Sequence, residues 1–186
     1  NLGKVSRKGI LEAEIVAVVS NHQSGGVRER ADRLKIPFVH FAGPWTAEEY
    51  RKLTTPADFV ALSGWLKLVT GLDPRKTFNI HPGPLPKFGG PGMYSHHVHQ
   101  AVMEAYRRGE VTHSAVSMHF VTEKYDEGPV FLSVPVEILS DDTHETLGAR
   151  VNQAEHRCQP IWTNYVVHGR VRWDGVNVES LIVPEQ

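Results

Sequence analysis

Apolar and polar positions along the chain fall into short segments that alternate between strand-like and helix-like spacing. Residues 14–20 read Glu-Ile-Val-Ala-Val-Val-Ser, a β-branched run that ends in polar Ser20-Asn21. That is the pattern of a strand buried on both faces. Residues 25–34 are spaced as a helix, 37–41 form a second apolar strand, and 46–53 form another helix. Thr46 stands at its N-cap, with Glu49 three residues on as a capping-box partner. Residues 58–63 make a third apolar strand. Strand, helix, strand, helix, strand at this spacing predicts βαβ units, hence a parallel sheet with helices on both faces. The opening residues, 1–8, read as polar helix.

The second half follows a different rhythm. Residues 77–81 (Thr-Phe-Asn-Ile-His) form a strand that runs directly into a Pro- and Gly-rich loop, 82–92. A helix follows over 98–108, then alternating strands over 115–122 and 130–138. The connection 123–129 is short enough for an antiparallel hairpin added to the parallel sheet. Residues 143–165 make a long helix, and 171–174 with 176–183 suggest a small terminal hairpin around Asp174-Gly175. No repeat, linker or low-complexity stretch divides the chain. The fold class expected over residues 1–186 is a single three-layer Rossmann-like α/β domain, with a mostly parallel sheet, helices on both faces and an appended antiparallel hairpin.

Charge narrows the partners. Twenty Lys and Arg stand against 21 Asp and Glu, a formal net charge of −1. No basic excess points to nucleic acid, and no basic or long apolar run points to a membrane. The one cysteine, Cys158, cannot close an internal disulfide, which fits a reducing, cytoplasmic setting. No motif surrounds it, so it reads as a packed helix residue rather than a nucleophile. His96, His97 and His99, with His81 and His119, raise the question of zinc. No helical H-E-x-x-H and no cysteine cluster accompanies them, and no metal is expected.

Ligands of open parallel sheets bind beyond the carboxyl ends of the strands. Asn79 and His81 stand at such an end, two residues apart, with both side chains on one face. An amide donor beside a titratable imidazole can hold an oxyanion and manage a proton. An isolated N-x-H is common, and by itself reads equally as strand-end residues that satisfy a loop. Here prolines 82, 84 and 86 stiffen the loop that follows, and glycines 83, 89, 90 and 92 allow close backbone approach. Asp126, in the hairpin connection, could orient the imidazole and favour its charged form. From local sequence alone it reads equally as a turn residue before Gly128.

Asn79-Ile80-His81-Pro82 with Leu85-Pro86-Lys87-Phe88, then residues 118–122 (Met-His-Phe-Val-Thr) through Asp126-Glu127-Gly128-Pro129-Val130, resembles the folate-dependent formyltransferases, and among them the glycinamide ribonucleotide formyltransferases. The likeness continues through Asp142-Thr143, Leu147, Arg150-Val151, Glu155-His156 and Pro160, and covers essentially the whole chain. It implies transfer of a formyl group from 10-formyltetrahydrofolate to the amine of glycinamide ribonucleotide, in purine synthesis. Asn79, His81 and Asp126 match the catalytic trio, with Asn79 and protonated His81 stabilising the tetrahedral oxyanion. Leu66, Lys67, Leu68 and Val69, with Tyr125 and Asp126, match the folate pocket. Asn1, Asn152, Glu155, Ser117 and His119 match positions that face or hold the ribonucleotide. The implied partners are these small molecules, and a homodimer is compatible with the pattern. The Leu85-Pro86 bond is expected to be cis. The family pattern also places a first strand and a Gly-Ser-rich phosphate loop ahead of Asn1, so a longer polypeptide is expected. The alternatives are a formyltetrahydrofolate deformylase, which uses water as the nucleophile, and a non-catalytic folate-binding protein.

Overall fold

The computed structural model describes residues 2–7 and 11–185. A short helix α1 (Leu2–Arg7) precedes β1 (Val18–Ser20), α2 (Gly26–Arg33), β2 (Phe38–His40), α3 (Ala47–Thr54) and β3 (Val60–Ser63). Then come β4 (Thr77–His81), α4 (His96–Arg107), β5 (His113–Phe120), β6 (Val130–Glu137) and α5 (His144–Val167). The strands form two sheets. β1 pairs with β2 in parallel, and β3-β4-β5-β6 form a mixed sheet of four. Within it β3 and β4 are parallel, while β4–β5 and β5–β6 are antiparallel. The antiparallel part therefore begins one pairing earlier than the hairpin alone.

The predicted elements are present with shifted ends. The strand expected over 14–20 is ordered as β1 only from Val18, and Val16 is 41% exposed. Thr46 caps α3 as expected, its side chain accepting from the Glu49 amide at 3.4 Å. The other half of that capping box is absent, because the Glu49 carboxylate is drawn to Lys52 at 2.9 Å. A complete box forms instead at α5, where the Thr143 and Thr146 side chains each accept from the other's backbone N–H. Two reciprocal bonds satisfy orphan donors at the start of a 24-residue helix. The terminal hairpin reduces to one antiparallel bridge, Arg172 with Ile182, around a 3₁₀ turn over Val178–Ser180. Asp174 explains the difference. Its carboxylate accepts from the amides of Val176 and Asn177, and this local turn competes with a ladder.

Alternation along β4 and β5 positions the site. Successive side chains point to opposite faces of a strand. Phe78 pairs with Phe120 and Ile80 with Met118, and all four enter the main apolar core with α4 and α5. The interleaved pairs, Asn79 with His119 and His81 with Ser117, take the other face. One register thus sorts apolar from polar residues over four consecutive positions, and a slip of one residue would exchange them. Residues 118 and 119 also flank a bulge, since Met118 pairs with Leu132 but His119 with Val130. The unpaired Phe131 is packed into the core. Bulges of this kind re-aim neighbouring side chains. A second hydrophobic cluster of Phe41, Tyr50 and Val69, with Trp45 and Trp65 against it, packs beside β3.

Candidate active site

The polar face of β4 and β5 is covered by two loops. Residues 82–92 fold back through short turns, Phe88 N–H to Pro84 O at 3.1 Å and Met93 N–H to Gly90 O at 3.1 Å. The Leu85-Pro86 bond within them is cis, as expected. The second loop, 121–129, carries Asp126 with φ +54, in the left-handed region. Gly128 fixes its exit: a β-carbon there would overlap the Phe120 carbonyl.

The two loops bring the three candidate catalytic residues together. The Asp126 carboxylate lies 3.7 Å from His81 Nδ1, 3.4 Å from His119 Nε2 and 3.0 Å from the Gly90 amide, which donates to it. Asn79 Nδ2 lies 3.2 Å from His119 Nε2. His81 Nε2 lies 2.7 Å from the Phe88 carbonyl. A carbonyl only accepts, so Nε2 carries the proton. In the neutral ring Nδ1 is then a bare lone pair turned toward a carboxylate. By the same logic His119 Nδ1 donates to the Phe120 carbonyl at 2.8 Å. His119 Nε2 carries a proton only when that ring is charged, and in that state its contact with Asp126 becomes an ion pair.

Electrostatics follows burial. His81 is 3% exposed, and burial, the largest influence, pulls its pKa below the ordinary imidazole value against the opposing pull of Asp126. Asp126 thus favours the charged ring, as expected, but in the free chain desolvation outweighs it. For Asp126 burial pushes upward, but His119, His81 and the Gly90 N–H together bring its carboxyl below the usual range. The resting pair is a neutral base facing an ionised carboxylate.

The remaining candidates are placed unevenly. Ser117 is fully buried, its hydroxyl donating to Gly83 O at 2.8 Å and accepting from Leu85 N–H at 3.3 Å. It braces the first loop through both bonds. His119 is 2% exposed and backs Asp126 rather than facing solvent. Asn152 and Glu155 lie on α5, hydrogen-bonded to each other at 3.1 Å, and burial raises the Glu155 carboxyl above its ordinary value. Asn1 lies outside the described residues.

The expected folate segments do meet. The Tyr125 hydroxyl reaches the Leu66 carbonyl at 3.5 Å, joining 66–69 to the Asp126 loop. Leu66 is 52% exposed, Val69 is buried, and Lys67 Nζ sits 5.6 Å from the Trp45 ring centroid. Val69 also lines a cleft of about 260 Å³ with Leu72, Thr77, Val121, Thr122 and Gly175. Sequence reading missed all of these but Val69 as lining residues. The signal was available for Thr77, which begins β4, and for Val121 and Thr122, which follow β5. A cleft of about 480 Å³ between β6 and α5 is lined by Arg150, Arg157 and Trp162 and contains none of the trio. Among the described residues no group of three or more His, Cys, Asp or Glu could hold a metal ion. No helix among them is long and apolar enough to cross a membrane.

An amide and an imidazole at the end of a strand, with a carboxylate beside the imidazole, are groups able to stabilise an oxyanion and move a proton. Residues 2–162 match the formyl transferase family, and the chain belongs to it. It is 33% identical to the chloroplastic phosphoribosylglycinamide formyltransferase of Arabidopsis thaliana over 185 residues, covering 90% of this chain and 61% of that protein. The chain thus spans about three-fifths of the length of that curated relative. Among solved structures, glycinamide ribonucleotide transformylase 1 from Symbiobacterium toebii superposes with a TM-score of 0.82 at 28% identity, covering 99% of this chain and 87% of that one. A formyltetrahydrofolate deformylase from Pseudomonas syringae pv. tomato shares the fold, with a TM-score of 0.74 at 23% identity, covering 98% of this chain and 60% of that one.

Proposed function

We propose that the chain transfers a formyl group from 10-formyltetrahydrofolate to the amine of glycinamide ribonucleotide, in a single formyltransferase domain. One observation carries the reading. The lone pair of His81 Nδ1 and the Asp126 carboxylate face each other across 3.7 Å, and together they form a ready acceptor for one proton. The substrate amine attacks the formyl carbon, forming a C–N bond and a tetrahedral oxyanion. The attacking nitrogen, now cationic, gives its proton to His81 Nδ1. The same proton then goes to N10 of the folate as the C–N10 bond breaks, releasing tetrahydrofolate and the formylated amine. Asn79 supplies an N–H to the oxyanion, an interaction made only as charge develops. The new charge on His81 sits against Asp126. Leu66, Lys67, Leu68, Val69 and Tyr125 hold the folate, and Asn152 and Glu155 hold the ribonucleotide. The plant and bacterial relatives, named for formyl transfer to this ribonucleotide, support the acceptor.

The test is an assay with 10-formyltetrahydrofolate, with and without glycinamide ribonucleotide. Nucleotide-dependent formation of tetrahydrofolate and formylated nucleotide is expected. Formate release without the nucleotide would replace transfer by deformylation. Folate binding without turnover would leave only a binding protein.

A further inference from the structure

We propose that residues 88–90 are the positioning element of His81 and Asp126, and that Gly89 is the residue on which this positioning depends. The proposal deepens the formyl-transfer reading and rests on it for its kinetic arm. Two successive peptide units hold both members of the proton acceptor. The Phe88 carbonyl takes the Nε2 proton of His81 at 2.7 Å, and the Gly90 amide donates to Asp126 Oδ2 at 3.0 Å. Gly89 lies between them. A β-carbon on it would stand 2.5 Å from Leu85 Cδ2 and 2.9 Å from Asp126 Cβ. Neither approach is tolerated without movement. The absence of a side chain at Gly89 therefore lets the loop lie flat on Asp126 and make both bonds at once.

The consequence is chemical. A neutral imidazole has two tautomers, and the partner of one nitrogen decides which is populated. With Phe88 O in place the proton stays on Nε2 and Nδ1 is free to act as a base. If the loop withdraws, Nε2 loses its acceptor and Asp126 becomes the nearer one. The proton then moves to Nδ1, where it blocks the base. The loop is itself anchored, with the Phe88 ring 5% exposed in the main core and Gly83 O held by Ser117. Its position is set by packing rather than by substrate. Gly89 has no positive φ, so its requirement is for space alone. Gly92, in the same loop, is the converse: its φ is +86 and a β-carbon there meets nothing within 4 Å.

Nitrogen-15 NMR of the histidine ring distinguishes the tautomers without any substrate. In the wild-type chain, above its titration, His81 is expected in the Nε2–H form. A wild-type His81 in the Nδ1–H form overturns the proposal before any variant is made. In Gly89→Ala the Nδ1–H population should rise and kcat should fall about 10²-fold, the scale for a catalytic group displaced by about 1 Å, with KM for either substrate little changed. The double variant Leu85→Ala/Gly89→Ala removes the Leu85 contact and keeps the Asp126 contact, and it guards against a single variant that does not fold. It should retain the defect; recovery of tautomer and rate would assign the effect to Leu85 and overturn the proposal. If wild-type chain shows the expected tautomer but transfers no formyl group, the functional reading fails and the positioning stands.

Discussion

Replacing Asp126 by Asn removes one negative charge and little else. The amide oxygen of Asn can still accept from the Gly90 N–H, and the side chain keeps its volume, so the loop should stay closed. What changes is the cost of charging His81. Two unit charges 3.7 Å apart, at an effective dielectric of about 20, attract by about 4 kcal/mol. That attraction exists only after the proton reaches Nδ1, in the tetrahedral intermediate and the transition states around it. It is an upper bound on the loss, because His119 and Gly90 share the carboxylate. A loss of 3–4 kcal/mol corresponds to roughly 10²–10³ in kcat. The sign of the accompanying pKa change is fixed. Asp126 raises the His81 pKa against burial, so its neutralisation must lower that pKa further. The assay is steady-state kcat and KM for both substrates, together with NMR titration of His81 in the two proteins. A kcat within about fivefold of wild type, or an unchanged His81 titration, would show that the 3.7 Å contact carries no coupling and would refute the proton path.

The other predictions use the same tools. His81→Ala should lower kcat by about 10²–10³ or more, the scale of losing one oxyanion or proton-handling group, with an unchanged far-UV circular dichroism spectrum; near-normal turnover would remove His81 from the reaction. On the proposed path His81 starts neutral, so kcat should rise with pH through a value below 6.5 and then level, and an acid limb above 6.5 would contradict the burial of the ring. Arg150→Ala should destabilise the chain by about 1–3 kcal/mol, since Asp142 is 3% exposed in its side chain and bonded to Arg150 at 2.6 and 2.9 Å. The Asp142 carboxyl is held well below its ordinary value by Arg150 first, so this contribution is present above the unfolded carboxyl pKa near 4 and is lost as pH falls below it. Denaturant melts at pH 7 and pH 3 should show the Arg150→Ala penalty shrinking in acid.

The fold was legible where burial dictates pattern. β3, β4, β5 and β6 all stand close to their apolar runs, because each carries side chains into a core. Legibility failed where local hydrogen bonding decides the outcome. The apolar residues 15–17 do not extend β1, and Val176 and Val178 are 86% and 62% exposed. Those valines suggested a strand, yet two backbone amides bound by Asp174 made a turn. Helix α4 begins at His96 rather than at the predicted residue 98, with Ser95 at φ +51 as its N-cap. Ser95 makes no side-chain cap bond there, so its residue type alone marks the start.

The candidate site shows the same division between pattern and electrostatics. Period-2 alternation is enough to put Asn79 and His81 on one face, and their register with His119 and Ser117 follows from the antiparallel pairing. The motif pairing of His81 with Asp126 is also realised in space. What a sequence cannot carry is the balance of two opposing influences on one imidazole. A carboxylate 3.7 Å away argues for a charged ring; a ring 3% exposed argues for a neutral one. The balance depends on how tightly residues 82–92 cover the strand end, and on the Phe88 carbonyl having taken the one proton that a neutral ring possesses. Both are consequences of backbone placement, to which the side-chain pattern is blind. The distinction matters for mechanism. A charged His81 could only donate to an oxyanion, whereas a neutral one, oriented by Phe88, can first accept the proton of the attacking amine and then deliver it to the leaving nitrogen. Burial of the ring, which opposes its charge at rest, is thus what equips it to cycle between the two forms during a single turnover.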